Sequence, residues 1–135
     1  MFLDEDATLE EVQAFFNGDK FATQATGCRI VEVGPGHCVA EMDIEPHHRN
    51  AAGNVMGGAI FTLADFCMGA AANVGWGPSV SVSNTIEYLS TVKGDKLIAE
   101  AIMEKRGRRL GFGTVNVRDN TGRHVAKMTA TNSCV

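Results

Sequence analysis

The charged residue in the most unusual setting is Asp65, which lies alone in a long apolar segment. Between residues 56 and 75 the chain carries no other Asp, Glu, Lys or Arg. An unpaired carboxylate is costly to bury, so a residue of this kind usually has a dedicated partner or a reactive role. Two interpretations of Asp65 stay open: a structural carboxylate that hydrogen-bonds a neighbouring loop, or a group that performs chemistry.

The start of the same segment offers chemistry that a carboxylate can use. Gly57 and Gly58 let a ligand approach the backbone closely, and the first N–H groups of a helix have no intrahelical acceptor. With the helix dipole they form a site for the negative oxygen of an acyl-transfer intermediate. Asn50 precedes them in a polar loop and can add an amide. A carboxylate and an oxyanion site are the minimum for hydrolysing an activated acyl group, with the carboxylate activating water or attacking directly.

The spacing of Gly57 and Asp65 sets a condition on this chemistry. Eight residues of helix separate two groups by roughly 12 Å along the axis. One carbonyl therefore cannot contact the Asp65 carboxylate and the Gly57 N–H of the same helix. We expect Asp65 of one chain to face Gly57 of the partner subunit, so an enzyme of this kind is at least a dimer with two equivalent sites, and the monomer is inactive.

The elements that must position these groups follow from the hydrophobic pattern. Segment 56–75 is apolar nearly all round, which predicts a buried helix roughly 30 Å long. A short amphipathic helix is predicted earlier, with a Thr8–Glu11 capping box and an apolar stripe of Leu9, Val12, Phe15 and Phe16. Strands are predicted at 29–33, 37–45, 79–89, 97–105, 110–118 and 123–131. The order predicts an α+β domain whose antiparallel sheet curves around one central helix.

The length of 135 residues fits one domain, so we expect residues 1–135 to form a single domain on which residues 1–20 pack as an N-terminal helix. The N-terminus lacks the pattern of a secretory signal, and glycine, proline and polar residues interrupt the longest uncharged run. We therefore expect a cytoplasmic protein without a membrane partner.

Charge is unevenly distributed along the chain. Residues 1–45 carry ten acidic residues against Lys20 and Arg29, whereas residues 46–135 carry ten basic residues against six acidic ones. The net charge of −4 argues against general nucleic-acid binding, which needs a broad basic surface. The compact basic run at 105–109 suits the phosphates of a small polyanion, and a solvated basic loop is the alternative interpretation.

Cysteine and histidine spacing gives no metal signature. The four cysteines are Cys28, Cys38, Cys67 and Cys134, and none forms a CxxC pair. His47 and His48 are adjacent, so on a regular element they point in different directions. We predict small core hydrophobes rather than disulfides or zinc ligands, and no metal.

The motif Asn50-x-x-Gly53-x-x-Met56-Gly57-Gly58-x-x-x-x-Leu63-Ala64-Asp65 resembles the signature of hotdog-fold acyl-CoA thioesterases. The closest resemblance is to the group of phenylacetic-acid-degradation thioesterases, and it extends from about residue 20 to the end. The resemblance implies the hotdog fold, sites at a dimer interface and dimers that pair into tetramers. It also implies an acyl-CoA substrate and no cofactor, because coenzyme A is part of the substrate.

Carried over to this chain, the resemblance implies that Asp65 is the base or nucleophile and that the Gly57 N–H polarises the carbonyl. Asn50 would orient the thioester or the water. Ser81 matches a position that holds the attacking water in some members, and a plain strand serine is the alternative. The implied contacts to coenzyme A and substrate are Met56, Gly58, Tyr88, Lys105, Arg106, Arg108 and Arg109, with the basic side chains on the phosphates. For Tyr88, ordinary core packing is an equal alternative.

Met56 departs from the family pattern, which usually has a histidine there. Methionine neither donates nor accepts a proton usefully, so any orienting role of that histidine is missing, and Met56 offers a soft contact to an apolar or aromatic acyl group instead. The second hypothesis is therefore a hotdog module that binds acyl-CoA without hydrolysing it. Dehydration of hydroxyacyl thioesters ranks last, because residues 56–75 contain no histidine. The acyl group and the choice between dimer and tetramer are left open.

Overall fold

The computed structural model describes residues 3–135. Its helices are α1 (Leu9–Phe16) and α2 (Gly57–Asn73), with a π-helical turn at Phe21–Ala25 and a 3-10 turn at Pro46–His48. Its strands are β1 (Arg29–Gly34), β2 (His37–Asp43), β3 (Ser79–Tyr88), β4 (Lys96–Arg106), β5 (Leu110–Asp119) and β6 (His124–Cys134). The predicted order of a helix, two strands, a buried helix and four strands is confirmed.

The strands form one antiparallel sheet in the order β1-β2-β4-β5-β6-β3. The helix α2 packs along the inner face of this sheet, with its main contacts on β2, β4 and β5. β1 and β2 form the predicted hairpin, in which Gly34 pairs with His37 and Gly36 takes a φ of 75° that favours glycine. The sheet therefore curves around one central helix, as the sequence predicts.

The core lies between α2 and the inward side of each strand. The predicted alternation is clear in β2, where Cys38, Ala40 and Met42 are buried, and β4 buries its side chains in the same period. Cys28, Cys38 and Cys67 are buried free thiols, whereas Cys134 is half-buried. Three of the four cysteines thus pack in the core as the small hydrophobes that the sequence predicts, and Cys134 does not.

The N-terminal helix α1 begins with the predicted capping box. The Thr8 side chain accepts from the Glu11 N–H, and the Glu11 carboxylate accepts from the Thr8 N–H. Val12 and Phe16 are buried, and the ring of Phe16 meets the Phe66 ring of α2 edge to face at 6.0 Å. Phe15 is 41% exposed, so the apolar stripe of α1 is narrower than predicted.

The helix α2 is shorter at its C-terminal end than the apolar run predicts. It ends at Asn73, after which Val74 forms a parallel bridge with Leu3 and Gly75 takes a φ of 75°. Asn73 also uses its side chain to end the helix, because its Oδ1 accepts from the Ser79 N–H at 2.8 Å. These contacts turn the chain from α2 into β3.

A buried carboxylate ties together two loops at one end of the sheet. Asp119 is 2% exposed and accepts hydrogen bonds from the N–H groups of Lys93 (2.8 Å), Gly94 (3.1 Å), Thr121 (2.9 Å) and Arg123 (3.1 Å). The Thr121 hydroxyl also donates to it at 2.5 Å. The Asp119 carboxylate therefore serves as the hydrogen-bond acceptor for these four backbone N–H groups, which would otherwise lack one.

Candidate functional site

Asp65 lies half-buried on α2 at the wall of a cavity of about 610 Å³. The cavity lies between α2, the strands β3 and β6, and the segment around the π-helical turn. Its apolar wall includes Phe21, Phe61 and Phe66, and its polar wall includes Asp19, Lys20, Ser81 and Asn132. The carboxylate thus opens into a space that suits a largely apolar ligand.

A β-bulge in β3 brings two polar side chains to Asp65. The register with β6 shifts between Ser81 and Ser83, so Ser81 and Asn84 both face the helix although they are three positions apart. In a regular strand, the side chain two residues after Ser81 would share its face. The bulge places Ser83 on the other face of the strand, and Asn84 instead shares the face of Ser81.

The pKa of Asp65 is raised above its ordinary value. Burial is the main cause, and the negative charge of Asp19 adds to it. The Ser81 hydroxyl and the Asn84 amide act in the opposite direction, because both donate to the ionised carboxylate. Asp65 thus combines a carboxylate of increased basicity with two hydrogen-bond donors.

The N-terminus of α2 presents the predicted free donors. Among residues 3–135, the N–H groups of Gly57 and Gly58 have no hydrogen-bond acceptor. The Tyr88 hydroxyl donates to the Gly57 carbonyl oxygen at 3.0 Å, and a Cβ built on Gly57 would lie 3.0 Å from Cζ of Tyr88. Tyr88 is 51% exposed, so it lies beside the helix N-terminus rather than in the core.

The loop before α2 is held by its own polar groups. Asn50 accepts from the N–H groups of Ala52 (3.0 Å) and Asn54 (3.1 Å) through Oδ1, which leaves its Nδ2 free toward other partners. His48 is buried, its Nε2 lies 2.7 Å from the Thr26 carbonyl oxygen, and its own carbonyl accepts from the Met56 N–H at 2.8 Å. These bonds hold the backbone of the loop in place where it leads into α2.

Met56 caps α2 without a side-chain hydrogen bond and is 56% exposed. With Gly58 it lines a second cavity of about 300 Å³, which Phe21, His47 and Thr62 also line. Since Phe21 and Thr62 border the Asp65 cavity as well, the two spaces adjoin. Met56 and Gly58 therefore border a space next to the Asp65 cavity.

The basic turn lies at the other end of α2 from Gly57. Arg106 donates from Nη1 to the Val74 carbonyl oxygen at 2.6 Å, which caps the helix C-terminus. Lys105, Arg108 and Arg109 are exposed to solvent. Because α2 has 17 residues and spans roughly 25 Å, this turn and the Gly57 N–H lie at opposite ends of one protomer.

Three residues at the site were not expected from the sequence. Asn84 donates to Asp65, Asn132 is 2% exposed on the cavity wall, and Asp19 raises the pKa of Asp65. The sequence does indicate that Asn132 faces inward, because it continues the alternation in which Ala126, Met128 and Ala130 are buried. The inward orientation of Asn84 could not be predicted in this way, because the bulge after Ser81 reverses the alternation of the strand.

Neither a membrane-spanning helix nor a metal cluster is found in the part of the chain that the structure describes. Within residues 3–135, no helix has the length and apolar character needed to cross a membrane. The same residues contain no group of three or more His, Cys, Asp or Glu side chains suited to a metal ion.

Known proteins resemble this chain in sequence and in structure. The family model of the thioesterase superfamily matches residues 52–126. Human acyl-coenzyme A thioesterase 13 is 30% identical over 122 residues, covering 87% of each chain. A hypothetical thioesterase with coenzyme A from Streptococcus pneumoniae superimposes with a TM-score of 0.82 at 26% identity, covering 91% of this chain and 96% of that one. A mutant of the phenylacetic acid degradation protein PaaI from Thermus thermophilus gives a TM-score of 0.79 at 26% identity, covering 84% and 97%.

These comparisons confirm the resemblance to hotdog-fold acyl-CoA thioesterases. The wrapped sheet and central helix are the hotdog fold, and the family match contains Gly57, Asp65 and Ser81. The chain belongs to the thioesterase superfamily and is a thioester hydrolase.

Proposed function

We propose that this protein is an acyl-CoA thioesterase that hydrolyses an acyl- or aryl-CoA thioester to the free acid and coenzyme A. The observation that carries the proposal is the Asp65 carboxylate, which opens into an apolar cavity with Ser81 and Asn84 beside it. The names of the human relative and of the coenzyme A complex from Streptococcus pneumoniae support this class of substrate.

Asp65 acts as the general base in the simplest form of this reaction. It accepts a proton from water while the water oxygen attacks the thioester carbon. The carbonyl electrons move to oxygen, which the N–H groups at the start of α2 stabilise. The C–S bond then breaks, and the proton passes from Asp65 to the leaving sulfur. The raised pKa of Asp65 supports this role, because a more basic carboxylate removes a proton more effectively. Direct attack by Asp65, which gives a mixed anhydride, is the alternative.

We propose that each site is shared between two subunits. Gly57 and Asp65 lie roughly 12 Å apart along α2, too far to act on one carbonyl. β3 is an edge strand of ten residues, and Val80 and Val82 on it are 51% and 61% exposed. A long edge with little charge is a template for pairing with a second strand. Antiparallel pairing of two β3 strands about a twofold axis would lay two α2 helices side by side and bring Asp65 to Gly57 of the partner subunit.

The outer face of the sheet supports pairing of such dimers into tetramers. Ile102, Leu110 and Phe112 are exposed by 48%, 45% and 43% on the neighbouring strands β4 and β5. Exposed apolar side chains that lie together mark interaction surfaces. In a tetramer, a second dimer would cover these three exposed apolar side chains.

The remaining residues have supporting roles in the proposal. Asn50 orients the thioester or the water through its free amide nitrogen, and Tyr88 fixes the first turn of α2 by its bond to the Gly57 carbonyl. Met56 and Gly58 contact the substrate next to the oxyanion site. Lys105, Arg106, Arg108 and Arg109 bind the phosphates of coenzyme A, with Arg106 using the guanidinium donors that Val74 leaves free.

The direct test is turnover of aryl-, short-, medium- and long-chain acyl-CoA esters by the wild type and by Asp65→Asn. Loss of a general base costs about 10²- to 10⁴-fold in rate, whereas oligomeric state and thermal stability should stay unchanged. Unchanged hydrolysis by Asp65→Asn would refute the proposed role. A tight complex that the wild type never hydrolyses would favour the binding module instead.

Subunit sharing has a separate test by mixing two inactive variants. Asp65→Asn lacks the carboxylate, and Gly57→Pro lacks the N–H donor. A mixed dimer contains one site with both native groups, so random mixing should restore about a quarter of wild-type activity. If each site were built within one chain, every mixed site would keep one defect and no activity would return.

A further inference from the structure

Asn132 is a buried polar side chain that the mechanism above does not use. It lies on β6, is 2% exposed and lines the Asp65 cavity. Its Oδ1 has no hydrogen-bond donor among residues 3–135. A buried acceptor without a donor costs free energy, so an unpaired amide at a cavity wall indicates a group that enters the cavity.

The sheet register places Asn132 next to the reacting groups. Asn132 pairs directly with Ser81 across β3 and β6. Side chains of directly opposed residues have Cβ atoms about 4.5–5.5 Å apart. Ser81 lies on the same cavity as Asp65, and its hydroxyl acts to lower the pKa of that carboxyl. The cavity wall therefore carries the Asp65 carboxylate, the Ser81 hydroxyl and the Asn132 amide, with Ser81 and Asn132 directly opposed across the two strands.

We propose that Asn132 is a further catalytic residue, which holds the attacking water together with Asp65; this inference rests on the proposed thioesterase function. The water donates one O–H to Asp65 and the other to Oδ1 of Asn132. With both hydrogens fixed at the wall, a lone pair points into the cavity toward the thioester carbon. As the new C–O bond forms, the proton on the Asp65 side moves to the carboxylate, and the proton on the Asn132 side stays on the oxygen.

The other polar groups of the cavity favour this role over recognition of a polar acyl chain. Asn73 is fully engaged, because its Oδ1 accepts from the Ser79 N–H at 2.8 Å and its Nδ2 donates to the Gly69 carbonyl at 2.9 Å. Of the remaining wall residues, Asp19 and Lys20 are charged but exposed to solvent, and Phe61 and Phe66 on α2 are apolar. The unpaired acceptor thus lies beside the base rather than in a polar recess.

The test compares Asn132→Leu with Asn132→Asp on the wild-type background. Leucine has a similar size but no acceptor, so kcat should fall on the order of 10- to 100-fold while KM changes little. The fall should be the same for acyl-CoA esters with and without a hydroxyl group. Aspartate keeps the acceptor and adds a second carboxylate, so it should retain more activity at high pH, with its acidic limb moved to higher pH.

The matched control is Thr131→Val, which removes a polar group from the adjacent position on the opposite face of β6 and should keep wild-type kcat. Thermal unfolding separates catalysis from structure, because leucine replaces an unpaired amide and should not lower the melting temperature.

Three results would overturn the inference: full kcat in Asn132→Leu, a loss confined to hydroxylated substrates, or an equal loss of stability in both variants. The Asp65→Asn variant, assayed alongside, reports on the thioesterase proposal itself. Wild-type turnover that depends on Asp65 but not on Asn132 would leave that proposal standing and refute this one.

Discussion

The amide nitrogen Nδ2 of Asn84 lies 3.4 Å from Oδ1 of Asp65, a long hydrogen bond between an edge strand and the central helix. The bond exists because the bulge after Ser81 turns Asn84 inward. The Oδ1 of Asn84 is buried and has no donor among residues 3–135, so the amide is oriented by the carboxylate rather than by the sheet. We therefore expect Asn84 to position Asp65.

Replacing Asn84 by Leu should move the acidic limb of the kcat/KM profile to higher pH. The amide donates to the ionised form of Asp65 and lowers its pKa, so its loss lets the pKa rise further. A higher pKa leaves less ionised base at a given pH below it. The measurement is kcat/KM against pH, with Thr85→Val on the same strand as control; a limb that stays in place would exclude this role.

Replacing Asp19 by Asn should move the same limb in the opposite direction. The charge of Asp19 contributes to the raised pKa of Asp65, so its removal makes the carboxyl easier to ionise. Because Asp19 is exposed to solvent, the wild-type limb should also shift toward lower pH as salt is added, whereas that of Asp19→Asn should respond less. Equal salt responses in the two proteins would contradict the assigned coupling.

Gly57→Pro should lower kcat about 10²- to 10³-fold, the usual cost of losing one oxyanion donor. Proline suits the first position of a helix, and the extended backbone of Met56 (φ −67°, ψ 138°) fits a residue before proline. Both Gly57→Pro and Gly57→Ala place a Cβ against Tyr88, but alanine keeps the N–H. The comparison of kcat in the two variants isolates the donor, and equal losses would attribute the effect to Tyr88 instead.

Asp119→Asn should lower the free energy of unfolding at neutral pH by about 2–4 kcal/mol, because buried N–H groups lose a charged acceptor. Burial acts to raise the pKa of Asp119, but hydrogen bonds led by the Thr121 hydroxyl outweigh it and hold the pKa well below its ordinary value. A depressed native pKa stabilises the fold above the unfolded value of about 4, and this contribution is lost as the pH falls below it.

Denaturant unfolding from about pH 7 to about pH 2 checks this prediction. The difference between wild type and Asp119→Asn should be constant above about pH 5 and should shrink at acidic pH. Asp95→Asn, on a neighbouring exposed carboxylate of the same loops, is the control. A difference that does not depend on pH would mean that packing, not charge, accounts for the effect.

The sequence predicted most of the fold because the periodic elements are long. Twenty residues with one charge could only be a buried helix, and β2 and β4 alternate cleanly. Element ends were less accurate: the apolar run continues to Gly75, but the bridge of Val74 to Leu3 ends α2 at Asn73. That contact joins distant parts of the chain, so no local pattern records it.

The site was predicted only in part, for a related reason. Asp65 and Gly57 could be proposed because a charge in an apolar helix and paired glycines at its start are local signals. The π-helical turn Phe21–Ala25 was not expected, since five residues are too few for a period, yet Phe21 forms part of the cavity. Asn84 faces Asp65 only through the bulge, which depends on pairing with β6.

The contact between Gly57 and Tyr88 constrains any redesign of this protein. The φ of Gly57 is not positive, so a larger residue is crowded by the neighbouring ring and not disfavoured by the backbone. A library that varies position 57 alone would sample mostly crowded variants, whereas varying positions 57 and 88 together would open that space. Engineers should treat the two positions as one unit when they reshape the N-terminus of α2.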